Sequence, residues 1–181
     1  MSDSQEDLSR EEYTALRATI RERGTLRHVL FVATVALWGA LALLAAAMIG
    51  TPVSTLVPLL VLASGYEAVA ALHIGVERVG RYLQVRFEGD RGDAAQPLTS
   101  WERTAMAWGA RFPGTGTDPL FGIVFLLAAL LNYLPVVLTG IPLEMVVYAA
   151  VHALFIWRVL HVRRWAARQR SEDLARFRQL L

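Results

Sequence analysis

Four apolar runs of membrane-crossing length, placed so that all the cationic side chains gather at one set of their ends, constrain this chain more than any other feature. The runs cover about Val29 to Ile49, Pro52 to Val76, Pro119 to Leu138 and Pro142 to Val162. Each matches the ~20 residues that a helix needs to cross a hydrocarbon core about 30 Å thick. In such a core the backbone must satisfy its own hydrogen bonds, so all four runs are expected to be helices. The links Gly50–Ser54 and Thr139–Leu143 carry no charge of either sign. Arg10, Arg17, Arg21, Arg23 and Arg27 precede the first run; Arg78, Arg81, Arg86, Arg91, Arg103 and Arg111 lie between the second and third; Arg158, Arg163, Arg164, Arg168, Arg170, Arg176 and Arg178 gather around the end of the fourth. The positive-inside rule then predicts both termini and the long central segment on the cytoplasmic side of a bacterial inner membrane. A cleaved leader is the rival for the first run, but the long charged stretch ahead of Val29 does not resemble a leader's short basic start.

The expected fold class is therefore an all-α integral membrane protein, a single domain of four transmembrane helices arranged as two hairpins. Residues 1–28 are expected to form a cytoplasmic helix and 29–76 the first hairpin. Residues 77–118 are a cytoplasmic linker with an interfacial helix over 99–112, 119–162 the second hairpin, and 163–181 a cytoplasmic C-terminal helix. Pro52 and Pro119 suit helix starts, where a missing N–H costs nothing. Pro58 and Pro135 fall inside runs and are expected to kink them.

The halves also read as a parallel repeat at an offset of 90. Ser9–Glu12 and Thr99–Glu102 are both capping boxes. Arg21 matches Arg111, Phe31 matches Phe121, and Gly50-x-Pro52 matches Gly140-x-Pro142. Repeats related this way share an axis along the membrane normal.

The cytoplasmic helices are amphipathic. Trp101, Ala105, Trp108 and Phe112 fall on one helical face. Tryptophan beside arginine suits the headgroup level, so Trp101, Trp108 and Phe112 are expected at the membrane interface, with contact to another subunit as the alternative.

Composition removes several classes of chemistry. The chain has 181 residues, 55% of them hydrophobic, and no cysteine. Disulfides, thiolate metal sites and cysteine nucleophiles are thereby excluded. Pro113–Thr117 lacks the Gly-Lys-Ser/Thr ending of a phosphate-binding loop. No Gly-x-Ser-x-Gly occurs. The arginines sit beside the apolar runs rather than on a readable basic face, so no nucleic-acid partner is expected.

Polar groups inside the runs carry most of the remaining information, because they are costly there. Glu67, His152 and Asn132 sample successive depths, with Tyr66, Tyr133 and Tyr148 nearby, as a polar ion path would. The competing reading is hydrogen-bonded glue between helices. At the cytoplasmic ends, His28, His73, Glu77 and His161 fall at one predicted depth. Three imidazoles and a carboxylate suit a first-row metal, and two imidazoles on different helices suit haem iron. Neither arrangement has diagnostic spacing, so no cofactor is expected. Glu77 and Arg81 should form an i,i+4 pair.

Four spans leave little interior, so a conducting path would run between subunits of a homo-oligomer. The leading expectation is thus a small, non-enzymatic ion or proton channel or transport protein with Glu67 as its key charge. The alternative is a non-catalytic membrane scaffold or regulator acting through its cytoplasmic helices. A metal- or haem-dependent redox protein comes third.

Overall fold

A computed structural model of the chain describes residues 2–47, 52–88, 111 and 118–180. The elements in order are α1 (Ser2–Ala47), a 3-10 turn (Pro52–Thr55), α2 (Leu56–Glu88), α3 (Asp118–Thr139) and α4 (Pro142–Leu180). Among the described residues the fold is all-helical. Four helices each contain a stretch long and apolar enough to cross a membrane. The shortest, α3, has 22 residues, about 33 Å at about 1.5 Å per residue, close to the thickness of a hydrocarbon core.

The helices are longer than the apolar runs. No proline interrupts α1, and its polar part is rich in Glu and Arg, which are strong helix formers. The N-terminal stretch expected as a separate helix is therefore continuous with the first apolar run. The same holds for α4, which continues unbroken to Leu180.

Local signals account for the helix ends. Pro52 opens the 3-10 turn and Pro142 opens α4. Pro58 does not kink α2: the turn takes up the first four residues, so Pro58 falls in the helix's first turn, where N–H groups lack intrahelical partners anyway. Pro135 does lie inside α3. Beyond Thr139, Gly140 adopts a positive φ of 68°, and its N–H donates to the Val137 carbonyl at 3.3 Å. This left-handed residue ends α3, and only glycine takes it up without a steric cost.

The chain divides into two compact units. One, the apolar unit, comprises Arg27–Ala71 and Thr117–Trp165; the other, the charged unit, comprises Met1–Leu26, Leu72–Gly116 and Ala166–Leu181.

In the apolar unit each helix buries one narrow stripe. Leu59, Leu62, Tyr66 and Val69 turn inward from α2, Phe125, Ala129, Asn132 and Val136 from α3, and His152, Phe155, Val159 and Val162 from α4. Their spacing of three and four residues is the helical period. Phe125 stacks edge-on against Phe31 at 5.9 Å and Tyr66 at 5.2 Å. Phe31 also meets Phe121 at 4.6 Å, so two residues 90 apart in the chain touch. The outward faces are apolar as well: Leu127, Leu130, Leu131 and Leu138 on α3 are all exposed. A helix that is apolar all round suits lipid rather than water.

The closest approach in this unit is between α1 and α2. A Cβ added at Gly65 would fall on the side chain of Thr34. Glycine is what lets Thr34 bury there.

Candidate functional site

Two polar assemblies lie in the apolar unit, and the residues singled out from the sequence divide between them. Asn132 and His152 form the first. Both are only 3% exposed. Nδ1 of His152 lies 2.8 Å from the carbonyl of Tyr148. A carbonyl only accepts, so Nδ1 carries the proton and donates. Nε2 then accepts from Nδ2 of Asn132 at 3.0 Å. The second amide proton of Asn132 goes to the Thr55 carbonyl at 2.9 Å, and its Oδ1 accepts from the Trp38 indole at 3.4 Å. One nitrogen donating and the other accepting is the pattern of a neutral imidazole. Every donor and acceptor of both side chains, apart from a second lone pair on Oδ1, is engaged.

This arrangement resists a passing proton. Protonating Nε2 would set a donor against the Asn132 amide. Turning that amide to present its oxygen would aim its NH2 group at the Trp38 N–H and withdraw it from Thr55. The cluster joins α1, the 3-10 turn, α3 and α4. Tyr133 and Tyr66 serve similar ends: the Tyr133 hydroxyl donates to the Met145 carbonyl at 2.8 Å and the Tyr66 hydroxyl to the Val159 carbonyl at 3.0 Å.

Glu67 belongs to the second assembly. Its expected companions were His152 and Asn132; its carboxylate instead faces Arg158 on α4. Arg158 Nε reaches one oxygen at 2.6 Å and Nη2 the other at 2.9 Å. This two-bond fork is the strongest geometry an arginine–carboxylate pair adopts. The pair is not sealed: Glu67 is 46% exposed and Arg158 47%.

Further arginines and histidines sit at the arginine-bearing end of the same unit. The Arg27 guanidinium lies 5.3 Å over the Phe121 ring, and His28 packs edge-on against that ring at 5.5 Å. His161 stacks on Trp157 at 5.1 Å. Arg163 crosses Gly122, where an added Cβ would stand 3.1 Å from its Nη1.

The charged unit is held by a network of arginines and carboxylates. Arg81 is 2% exposed; its Nη2 donates to Asp173 at 2.9 Å and its Nη1 to Glu77 at 3.3 Å. The expected Glu77–Arg81 pair is thus formed, within a larger set. Glu77 also receives Arg170 and lies 3.6 Å from His73. Arg78 reaches Asp173 at 3.3 Å and Gln169 at 3.1 Å. Burial raises the Asp173 carboxyl, but hydrogen bonds from Arg81 and Arg78, and their charge, outweigh it and hold the group below its ordinary value. Tyr82 donates to Glu12 at 2.7 Å and packs against Phe177 at 5.6 Å. Tyr13 meets Phe87 edge-on at 5.4 Å.

Among the described residues no three His, Asp or Glu side chains converge as metal ligands would. His28 and His161 pack on aromatic rings, and His73 sits beside Glu77. Trp101, Trp108 and Phe112, expected at the membrane interface, lie outside the described residues, as does most of the 99–112 helix. Four contributors escaped the sequence reading: Arg158 as the partner of Glu67, Trp38, the Thr55 carbonyl and Asp173.

No family model matches the chain, and no curated protein or solved structure does so either.

Proposed function

We propose that this chain is a multi-pass protein of a bacterial inner membrane that works as a non-catalytic scaffold or regulator, acting through its charged helices. In this reading the apolar unit crosses the bilayer as two hairpins, related as parallel repeats, with both termini in the cytoplasm. The observation that carries the reading is the closed bonding of the buried Asn132–His152 cluster in the apolar unit. Asn132 and His152 exhaust each other's bonding with Trp38, Thr55 and Tyr148, and Glu67 is forked to Arg158. Groups bonded in this way suit ties between helices better than a relay of exchangeable sites. The carboxylates with several cationic partners are in the charged unit, where Glu77 and Asp173 each take more than one arginine.

Ion or proton conduction with Glu67 as its titrating charge is the second reading. The observation in its favour is the half-exposure of the Glu67–Arg158 pair, since a charge in lipid must face protein or water.

Proteoliposomes separate the two. The scaffold reading expects proton and monovalent-ion flux no greater than in protein-free vesicles across a range of pH and voltage. A flux that disappears in Glu67→Gln, with folding and assembly intact, would establish conduction instead. The orientation is tested by a single cysteine at Ser4 of this cysteine-free chain: an impermeant maleimide should reach it only from the cytoplasmic side.

A further inference from the structure

The half-exposed ion pair sits in the middle of a patterned surface. On α2 the exposed positions Val57, Leu60, Ser64, Glu67 and Ala71 recur at alternating intervals of three and four residues. On α4, Val151, Leu154, Arg158 and His161 share this spacing within a broader exposed face that also carries Ala150, Ala153, Trp157 and Leu160. On α2 the repeat of three and four is the seam of a helix that packs lengthwise against another, not the broad apolar stripe of a helix facing lipid. That seam meets α4 at the fork between Glu67 and Arg158.

Lipid is a poor cover for that surface. Glu67 lies nine residues before Val76, where the second apolar run ends, and Arg158 four residues before Val162, where the fourth ends, which places them about 14 Å and about 6 Å inside those boundaries at about 1.5 Å per residue. The fork uses one lone pair on each carboxylate oxygen and two of the five guanidinium N–H groups; the two side chains are nearly half exposed, and hydrocarbon at that surface offers the remaining groups no partner. Ser64 and Ala71, one turn to either side of Glu67, are small enough to let another helix approach.

We infer that the face carrying Glu67 and Arg158 is where a second copy of this chain docks, across a two-fold axis along the helix direction. The inference rests on the membrane-spanning reading above. Its occupant follows from charge. The face presents one carboxylate and one guanidinium side by side, so it is complementary to itself. Rotation by two-fold symmetry sets Glu67 of each chain toward Arg158 of the other, and the two forks close into a ring of four alternating charges. Isologous contacts of this kind are the commonest basis of dimers.

Two experiments in native membranes test the interface. Ser64→Cys should form a crosslinked dimer with copper phenanthroline or a short bis-maleimide, while Leu130→Cys, on an exposed part of α3, should not. In the second, E67R and R158E chains carrying different tags are co-expressed. E67R presents two cations and R158E two anions, so each repels its own kind and attracts the other. Because like-charge juxtaposition costs several kcal/mol, E67R should co-purify with R158E about tenfold or more over E67R with itself. Absence of both the Ser64→Cys crosslink and the selective co-purification, from chains that stay in alkali-washed membranes, overturns the interface and leaves the spanning reading intact. Rapid labelling of Ser64→Cys by a water-soluble maleimide, without crosslinking, overturns it in favour of a water-lined face. A chain that alkali removes from membranes overturns both.

Discussion

Replacing Asn132 with leucine tests whether the buried cluster is a structural staple. The substitution removes the bonds to Thr55 at 2.9 Å and His152 at 3.0 Å, and the longer one from Trp38 at 3.4 Å. Leucine keeps the branching and the number of heavy atoms of asparagine, so no cavity is left and the effect is chiefly that of lost hydrogen bonds. A buried group left without a partner costs about 1–3 kcal/mol in protein interiors, whereas hydrogen bonds between membrane helices average about 0.6 and reach about 1.7 kcal/mol. Two well-formed bonds at about 1 kcal/mol each, with little from the long Trp38 contact, give an expected loss of about 2 kcal/mol. Equilibrium unfolding in mixed micelles, followed by helical circular dichroism, measures it. A double-mutant cycle with His152→Leu should return a coupling near 1 kcal/mol, because the two side chains share a bond. The His152 ring still bonds Tyr148 in the single Asn132 variant, so the coupling should be smaller than the whole loss. An Asn132→Leu protein within about 0.5 kcal/mol of wild type, with no coupling to His152, would refute the staple, since changes that small are typical of sites without structural consequence.

Three further outcomes are expected. Gly65→Ala should destabilise the apolar unit by about 1–3 kcal/mol through overpacking on Thr34, and Thr34→Gly in the same chain should recover part of the loss in the same unfolding assay. Asp173→Asn should cost about 3 kcal/mol, because it leaves the buried Arg81 guanidinium only its longer bond to Glu77; Arg81→Met combined with Asp173→Leu should be milder than the single change, and equal losses would discount the network. The Asp173 carboxyl is held below its ordinary 3.8 in the folded chain, so its contribution is full above pH 3.8 and lost as pH falls through the depressed folded value. An acid titration by circular dichroism should accordingly show a transition that Asp173→Asn removes.

Much of the helix layout is legible in the residues, because hydropathy summed over twenty positions depends on composition and not on contacts. Pro142 and Asp118 mark their helix starts, and Gly140 its helix end, through local backbone rules alone. Pro58 misled because a 3-10 turn takes up Pro52–Thr55 and sets the α-helix back, a shift that no single residue announces. The polar residues were legible one at a time but not as pairs. Asn132 and His152 stand out as costly, yet nothing in the order of residues says that each satisfies the other, and the third acceptor is the main chain of Thr55. Glu67 and Arg158 are 91 positions apart, and Arg158 reads locally as one more flanking arginine. Asp173 looks like an ordinary tail charge until Arg81 is seen to be buried against it.

The contact of Phe31 with Phe121 has a meaning for how much freedom the chain has to vary. If two separate copies of a half-length chain met at this place, the same phenylalanine would touch itself, and every position near the axis would be compelled to face its own kind. Joining the halves in one polypeptide lifts that compulsion. The counterpart of Glu67 at an offset of 90 is Trp157, and that of Arg158 is Ala68. A true pair of identical halves would set glutamate near glutamate; here one half holds the anion and the other supplies the cation. In the parallel-repeat reading proposed above, covalent linkage allows an asymmetry that symmetry alone would forbid, and the fork between α2 and α4 is where it falls.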